Sequence, residues 1–203
     1  TGNIFYKNSD QLFWDNPYVI LNKAGLKIGV IGLHGKFAFY DTINFKMIEA
    51  IETRDEVYYL KKYIAELKPI TDIIILSIHG GMPGRQSSIG LSDVERSLYA
   101  DIMLAKEVSD LDIIITGHAH TGTPQALISN DTIIVSTNAY TSELGELEIF
   151  FDTEKKEIVS HKNKLIQVFD DEIKDDPSMH KEIIKWQNKV EVIASKPITQ
   201  STN

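Results

Sequence analysis

The strongest constraint on this chain is a set of short, almost wholly apolar runs rich in β-branched residues. They are "LKIGVIGL" (Leu26–Leu33), "DIIILSIH" (Asp72–His79), "DIIIT" (Asp112–Thr116) and "TIIVST" (Thr132–Thr137). Runs of this length and composition read as buried strands. Helical patterns lie between them. Val57, Leu60, Ile64 and Leu67 recur at helical spacing behind Thr53 and Glu56, a capping-box pattern, and Val94, Leu98, Ile102 and Ala105 do so behind Ser92 and Glu95. Strand–helix–strand–helix–strand predicts an α/β layer with parallel strands. "LGELEIFFD" (Leu144–Asp152) and "EIVSHKNKLIQV" (Glu157–Val168) follow with short turns and predict antiparallel sheet, so the sheets are mixed. "PYVILN" (Pro17–Asn22) predicts one more strand.

Two of these runs stop at histidine and glycine. "IIILSIHGG" places His79 at a strand end before a glycine pair, and "IIITGHAHTG" places His118 and His120 at the end of the next strand. In an open α/β sheet, ligands bind beyond the carboxyl ends of the strands, where loops converge on a rigid frame. An extended Gly-His-x-His segment puts both imidazoles on the same side, within reach of one metal or of two adjacent ones. Gly80, Gly81, Gly117 and Gly122 allow tight turns and leave room for a metal or phosphate near the backbone. His34, in "GLHGKF", also follows a strand and suits a structural role at least as well as a functional one. His161 and His180 lie among charges and read as solvated surface.

Composition narrows the chemistry. The 203 residues contain no cysteine, which excludes disulfide scaffolds, thiolate zinc sites and cysteine nucleophiles. Any metal must rest on His, Asp, Glu, Asn or Gln. A formal net charge of -8 argues against a nucleic-acid polymer as partner, whose footprint would be a basic patch. A small anionic substrate stays open, because a bound metal reverses the local field. No run of about 18 apolar residues is present to span a membrane.

Toward the C-terminus, "DDEIKDDPSMHKEIIKWQNKVEVIASK" begins acidic. It then offers Asp176 as an N-cap, Pro177 at the first helical position, and Met179, Ile183, Val190 and Ile193 for one helical face. The tail "PITQSTN" is polar. These features divide the chain at 168, with residues 169–203 as an acidic linker and helix.

The series "KIGVIGL", "DIIILSIHGG", "DIIITGHAHTG" and "LGELEIFFD" resembles the second half of the calcineurin-like metallophosphoesterase domain. Within that superfamily it is most similar to the bacterial 5′-nucleotidase branch, with its UDP-sugar hydrolases and 2′,3′-cyclic-nucleotide phosphodiesterases. The resemblance runs from about Gly2 to Val168. It implies the second half of a four-layer α/β/β/α sandwich, and residues 169–203 as the connection to a C-terminal substrate-binding domain. It implies metal ligation by His79 and His118 on a second ion and by His120 on a first. The cofactors it implies are two divalent ions drawn from Zn, Mn, Fe, Mg or Ca, which would clamp phosphate oxygens and activate water. The implied substrate is a small phosphate ester, and the implied compartment is periplasmic, secreted or cell-surface.

The chain departs from the family pattern in one respect. The Asp-x-His, Gly-Asp and Gly-Asn-His motifs of the family's first half do not occur, and with them go the bridging carboxylate and the histidine that assists the leaving group. The expectation is therefore a fragment of a larger exported enzyme, with the other half upstream or on another chain, and without hydrolytic activity by itself. Two alternatives stand beside it. One is a non-catalytic binding module on a phosphoesterase scaffold, and the other is an unrelated hydrolase drawing its acid from Asp41 or Asp93.

Overall fold

The computed structural model describes residues 1–81, 92–169 and 173–197. They form two compact units, Thr1–Gln167 and Val168–Asn203.

The first unit is built on a six-stranded mixed sheet. Its strands are β2 (Tyr18–Lys23), β3 (Leu26–His34), β5 (Ile73–His79), β6 (Ile113–Gly117), β7 (Leu127–Ser129) and β8 (Thr132–Val135), in the order β2-β3-β5-β6-β8-β7. The four β-branched runs are the central strands β3, β5, β6 and β8, all mutually parallel, while β2 and β7 close the edges antiparallel. Aspartates that precede β5 and β6 pin the register. Asp72 Oδ2 accepts from the Lys27 N–H at 2.8 Å, and Asp112 Oδ2 accepts from the Ile74 N–H at 2.7 Å. Each carboxylate satisfies a strand-end donor that the ladder leaves open.

Helices α2 (Glu56–Leu67) and α4 (Tyr99–Glu107) cover one face of this sheet, where Leu60, Leu67, Leu76, Ile114 and Ile134 are sealed from solvent. The hairpin of β9 (Glu143–Asp152) and β10 (Glu157–Gln167) covers the other face, packing Leu147, Ile149, Phe151 and Ile158 on Ile73, Ile113, Ile133 and Val135. The described residues thus supply three layers, α/β/β, of the expected sandwich. The outer edge strand β2 leaves Val19 50% and Leu21 44% exposed.

Several local expectations need correction. The α2 N-cap is Asp55, whose side chain accepts from the Tyr58 N–H, whereas Thr53 is buried in a short strand β4 (Ile51–Thr53) paired with β1 (Ile4–Tyr6). The helix behind Ser92 is two helices, α3 (Asp93–Ser97) and α4, because Leu98 leaves the helical region while its side chain is buried. Its capping box between Ser92 and Glu95 is present on both sides. Helix α1 (Lys36–Thr42) and strand β7 lack a periodic signal long enough to announce them. His161 is half-buried rather than solvated, because it stands opposite Ile149 on the inward face of the hairpin.

The second unit contains α5 (Pro177–Ala194), capped as expected, with Asp176 accepting from the N–H groups of Ser178 and Met179. Its exposed apolar stripe includes Trp186 besides Met179, Ile183 and Val190. His180 is exposed on this helix and paired with Asp175 at 2.7 Å. Parts of the acidic run (170–172) and of the polar tail (198–203) lie outside the described residues.

Candidate metal centre

Parallel pairing puts three strand ends level. His34 stands opposite His79, and His79 stands opposite Gly117, so the carboxyl ends of β3, β5 and β6 form one edge. The His34 and His79 rings lie 5.2 Å apart and the His79 and His118 rings 5.1 Å apart, centre to centre. His120 follows on the same loop, with its ring 5.5 Å from that of Tyr140. The structure therefore brings His79 and His118 together and adds His34 to them. His120 lies farther out, close enough for its charge to be felt at His79.

The Gly-His-x-His segment is not extended. His118 has φ +91° and His120 φ +53°, so the chain curls instead of alternating. A side chain in that region costs about 1–3 kcal/mol and persists only where the surroundings force it. Here they do. Gly81, itself at φ +54°, packs so closely that a Cβ would sit 3.1 Å from the Ala119 nitrogen and the Gly117 oxygen. On the far side the Gly122 N–H donates to Asn138 Oδ1 at 2.9 Å, and Thr123 exchanges backbone and hydroxyl bonds with Ser136. At Gly122 a Cβ would meet Leu165 and Asn138, so that glycine serves packing of the hairpin rather than approach of a ligand.

The electrostatics favour neutral imidazole at the centre of the row. Loss of water around the ring lowers the His79 pKa, and His34, His118 and His120 lower it further by repelling a positive charge. Neutral imidazole is the form that offers a lone pair to a metal. The His34 ring has another partner, its Nδ1 lying 3.1 Å from the Gly35 carbonyl oxygen.

Two imidazoles on one tetrahedral ion, with metal–nitrogen bonds of about 2.1 Å, place their ring centres about 5 Å apart. The His79–His118 spacing fits that requirement. The set is nonetheless partial, since among the described residues no group of three or more His, Asp or Glu is placed to hold an ion. Neither candidate acid joins it. Asp93 is exposed and paired with Arg96, and Asp41 lies on the exposed side of α1. The histidines fit metal as a partial donor set, rich in nitrogen and joined by no carboxylate among the described residues.

Sequence reasoning missed the residues that hold these loops. Asn3 is fully buried, donates to the His34 and Arg54 carbonyls and accepts the His34 N–H, fixing the end of β3. Asn138 anchors the loop that carries His120. Asp101 is buried inside α4 and accepts from Thr116 Oγ1 at 2.9 Å. Only Asp101 left a signal, a charge at i+3 from Leu98 on the apolar side of a helix.

No protein-family model matches the chain. It is 27% identical over 161 residues to the uncharacterized metallophosphoesterase YunD of Bacillus subtilis, covering 78% of this chain and 30% of that protein. It is 30% identical over 189 residues to the protein UshA of Yersinia enterocolitica, covering 79% of this chain and 32% of that one. Among solved structures, a 5′-nucleotidase precursor from Thermus thermophilus superposes with a TM-score of 0.74 at 18% identity, over 98% of this chain and 39% of that chain. The chain spans between 12% and 32% of the length of the curated relatives it matches. These relatives are metallophosphoesterases and 5′-nucleotidases, and the chain is similar to part of each. Within them its likeness is to the bacterial 5′-nucleotidase branch, of whose catalytic domain it corresponds to the later part.

Proposed function

We propose that this chain is part of a dimetal phosphoesterase that, when complete, hydrolyses nucleotides or related small phosphate esters, as 5′-nucleotidases do. The observation that carries the proposal is the row of imidazoles at the level ends of β3, β5 and β6, with His118 and His120 forced into left-handed backbone. A strained, glycine-packed turn that aims histidines at one edge suits a site more than it suits stability. In this proposal His79 and His118 hold one divalent ion and His120 helps to hold the other. Bound metal would supply charge neutralisation on phosphate oxygens and an activated water. The chain's own contribution is to offer neutral nitrogens on a rigid edge, and the remaining donors come from a segment with carboxylates. Export to the periplasm or cell surface is proposed with the family. No helix among the described residues is long and apolar enough to cross a membrane.

The lack of a carboxylate among the donors favours a second proposal, a binding module that keeps the scaffold without the reaction. Titrating the purified chain with Zn²⁺ while following histidine ring resonances, then assaying nucleoside monophosphate hydrolysis, separates the two. The half-site proposal expects His79, His118 and His120 to shift at high metal concentration, with no turnover. Turnover abolished by His118→Ala would overturn the half-site, and histidines indifferent to zinc would favour the binding module.

A further inference from the structure

Outside the histidine row, one side chain in the molecule stands out. Asp101 is 1% exposed in the first turn of α4, a carboxylate buried on the same helix as Leu104 and Ala105. An ionisable group at such a position is rare unless something holds it there. Its Oδ1 accepts the Thr116 hydroxyl at 2.9 Å, and a Cβ at Gly80 would come within 3.1 Å of that same oxygen. The backbone of Gly81 also favours the ionised form of the carboxylate. Thr116 is two residues before His118, and Gly80 and Gly81 directly follow His79. The carboxylate therefore touches both strand ends that carry the central pair of histidines, from the side where α4 packs.

No other described side chain makes this double connection. His34 reaches the β5 end through backbone, the Gly35 N–H donating to the His79 carbonyl at 2.9 Å. Asn138 holds the His120 loop from its far side. Asp101 does not enter the histidine row itself. It lines a cavity of about 280 Å³ on the helix side, bounded by Phe37, Val57, Gly81, Tyr99 and Met103, and no histidine lines that cavity. Its second oxygen, Oδ2, has no hydrogen-bond partner among the described residues. One oxygen thus ties the loops, and a buried charge or proton is retained for that tie.

We infer that Asp101 is a positioning residue of the metal centre, setting the separation of His79 and His118 by joining the Gly80–Gly81 turn to Thr116. This rests on the assignment of those histidines as ligands. Residues that orient ligands from behind lower metal affinity about 10- to 100-fold when removed, without touching the ion. Asp101 differs from the usual partner of that kind, because it acts on the backbone of one ligand's turn and on the strand of the other, and not on either ring.

The test uses the whole chain in solution, with Zn²⁺ as the probe, and reads two quantities. One is the zinc dependence of the His79 and His118 ring resonances, and the other is the nuclear Overhauser effect between the two rings without metal. Asp101→Ala is expected to weaken the zinc response 10- to 100-fold and to erase the ring-to-ring effect, while resonances of the β9–β10 hairpin stay in place. Asp101→Asn, which still accepts from Thr116, restores the ring-to-ring effect and most of the zinc response. Thr116→Val moves both quantities in the direction of Asp101→Ala and decides the matter if the alanine variant fails to fold. Unchanged zinc response and ring contact in Asp101→Ala and Thr116→Val would overturn the inference while leaving the metal site standing. If zinc shifts no histidine in the parent chain, the metal assignment fails, and the ring-to-ring effect alone shows whether Asp101 sets the separation.

Discussion

The two faces of the six-stranded sheet are closed to different degrees. On the helix side α2 and α4 seal Leu60, Leu67, Leu76 and Ile114 completely. On the hairpin side Leu147, Ile149, Phe151 and Ile158 are only partly buried, and Ile115 is 47% exposed. A two-stranded hairpin is narrower than the sheet beneath it and cannot cover every central strand. Stability is therefore concentrated on the helix side. Asp101, which accepts from Thr116 near the end of β6, projects from this side, whereas Asn138 holds the His120 loop from the other.

The largest expected effect tests that contrast directly. Ile114→Ala, in the sealed layer, is expected to lower the unfolding free energy by about 3–4 kcal/mol, and Ile149→Ala, on the inward face of the hairpin, by about 1–2 kcal/mol. Equal losses in chemical denaturation would break the comparison.

A second effect concerns pH. Burial pushes the Asp101 pKa from 3.8 up to about 6, against the opposing hydrogen bonds from Thr116 and from the backbone of Gly81 and Asp101. The folded state then holds this proton more tightly than the unfolded chain. Its stabilising contribution is complete below the unfolded pKa of 3.8 and is lost as pH rises through about 6. Relative to Asp101→Asn, the parent chain is expected to lose up to about 3 kcal/mol across that window and to stay level above it. The difference in unfolding free energy between the two proteins, measured against pH, checks this. A gain of stability over the same window would mean that the carboxylate is favoured in its ionised form.

The smallest effect sharpens the contrast at the turn. His118→Gly relieves a left-handed backbone and is expected to raise the unfolding free energy by about 1 kcal/mol while removing a ligand. Thermal unfolding reads the sign, and a loss of stability would show that the imidazole contributes packing that outweighs the strain.

The parallel core was legible because β-branched runs bounded by aspartate and glycine leave little else to form, and three of the four end at a histidine or one residue before it. The histidine row was partly legible. His79 and His118 announce themselves by the glycines beside them, and His34 likewise follows a strand and precedes Gly35, though its sequence suits a structural role at least as well and register alone sets its ring against that of His79. Extended geometry at Gly-His-x-His was the natural expectation from spacing, and tertiary contacts from Gly81 and Asn138 override it. Thr53 looked like a cap because its residue type suits one, yet Asn3 claims its hydroxyl at 3.1 Å within a two-stranded ribbon. Asp101 was invisible as a tie, since its partners lie on two other strands.

Level pairing of β3, β5 and β6 also works as a ruler. Neighbouring strands in any sheet are held about 4.8 Å apart by their peptide hydrogen bonds. The separation of 5.2 Å between the His34 and His79 rings lies close to that interval, whereas His118 stands one residue beyond β6 and takes its place from the turn. The interval cannot be tuned by small steps, because sliding β5 by one residue would turn His79 to the opposite face of the sheet. Adjustment is confined to side-chain rotation and to the single curled turn after Gly117. An ion that needs a wider bite must therefore draw its other donors from outside this edge, whereas one that accepts the peptide interval finds two nitrogens already at the right gauge.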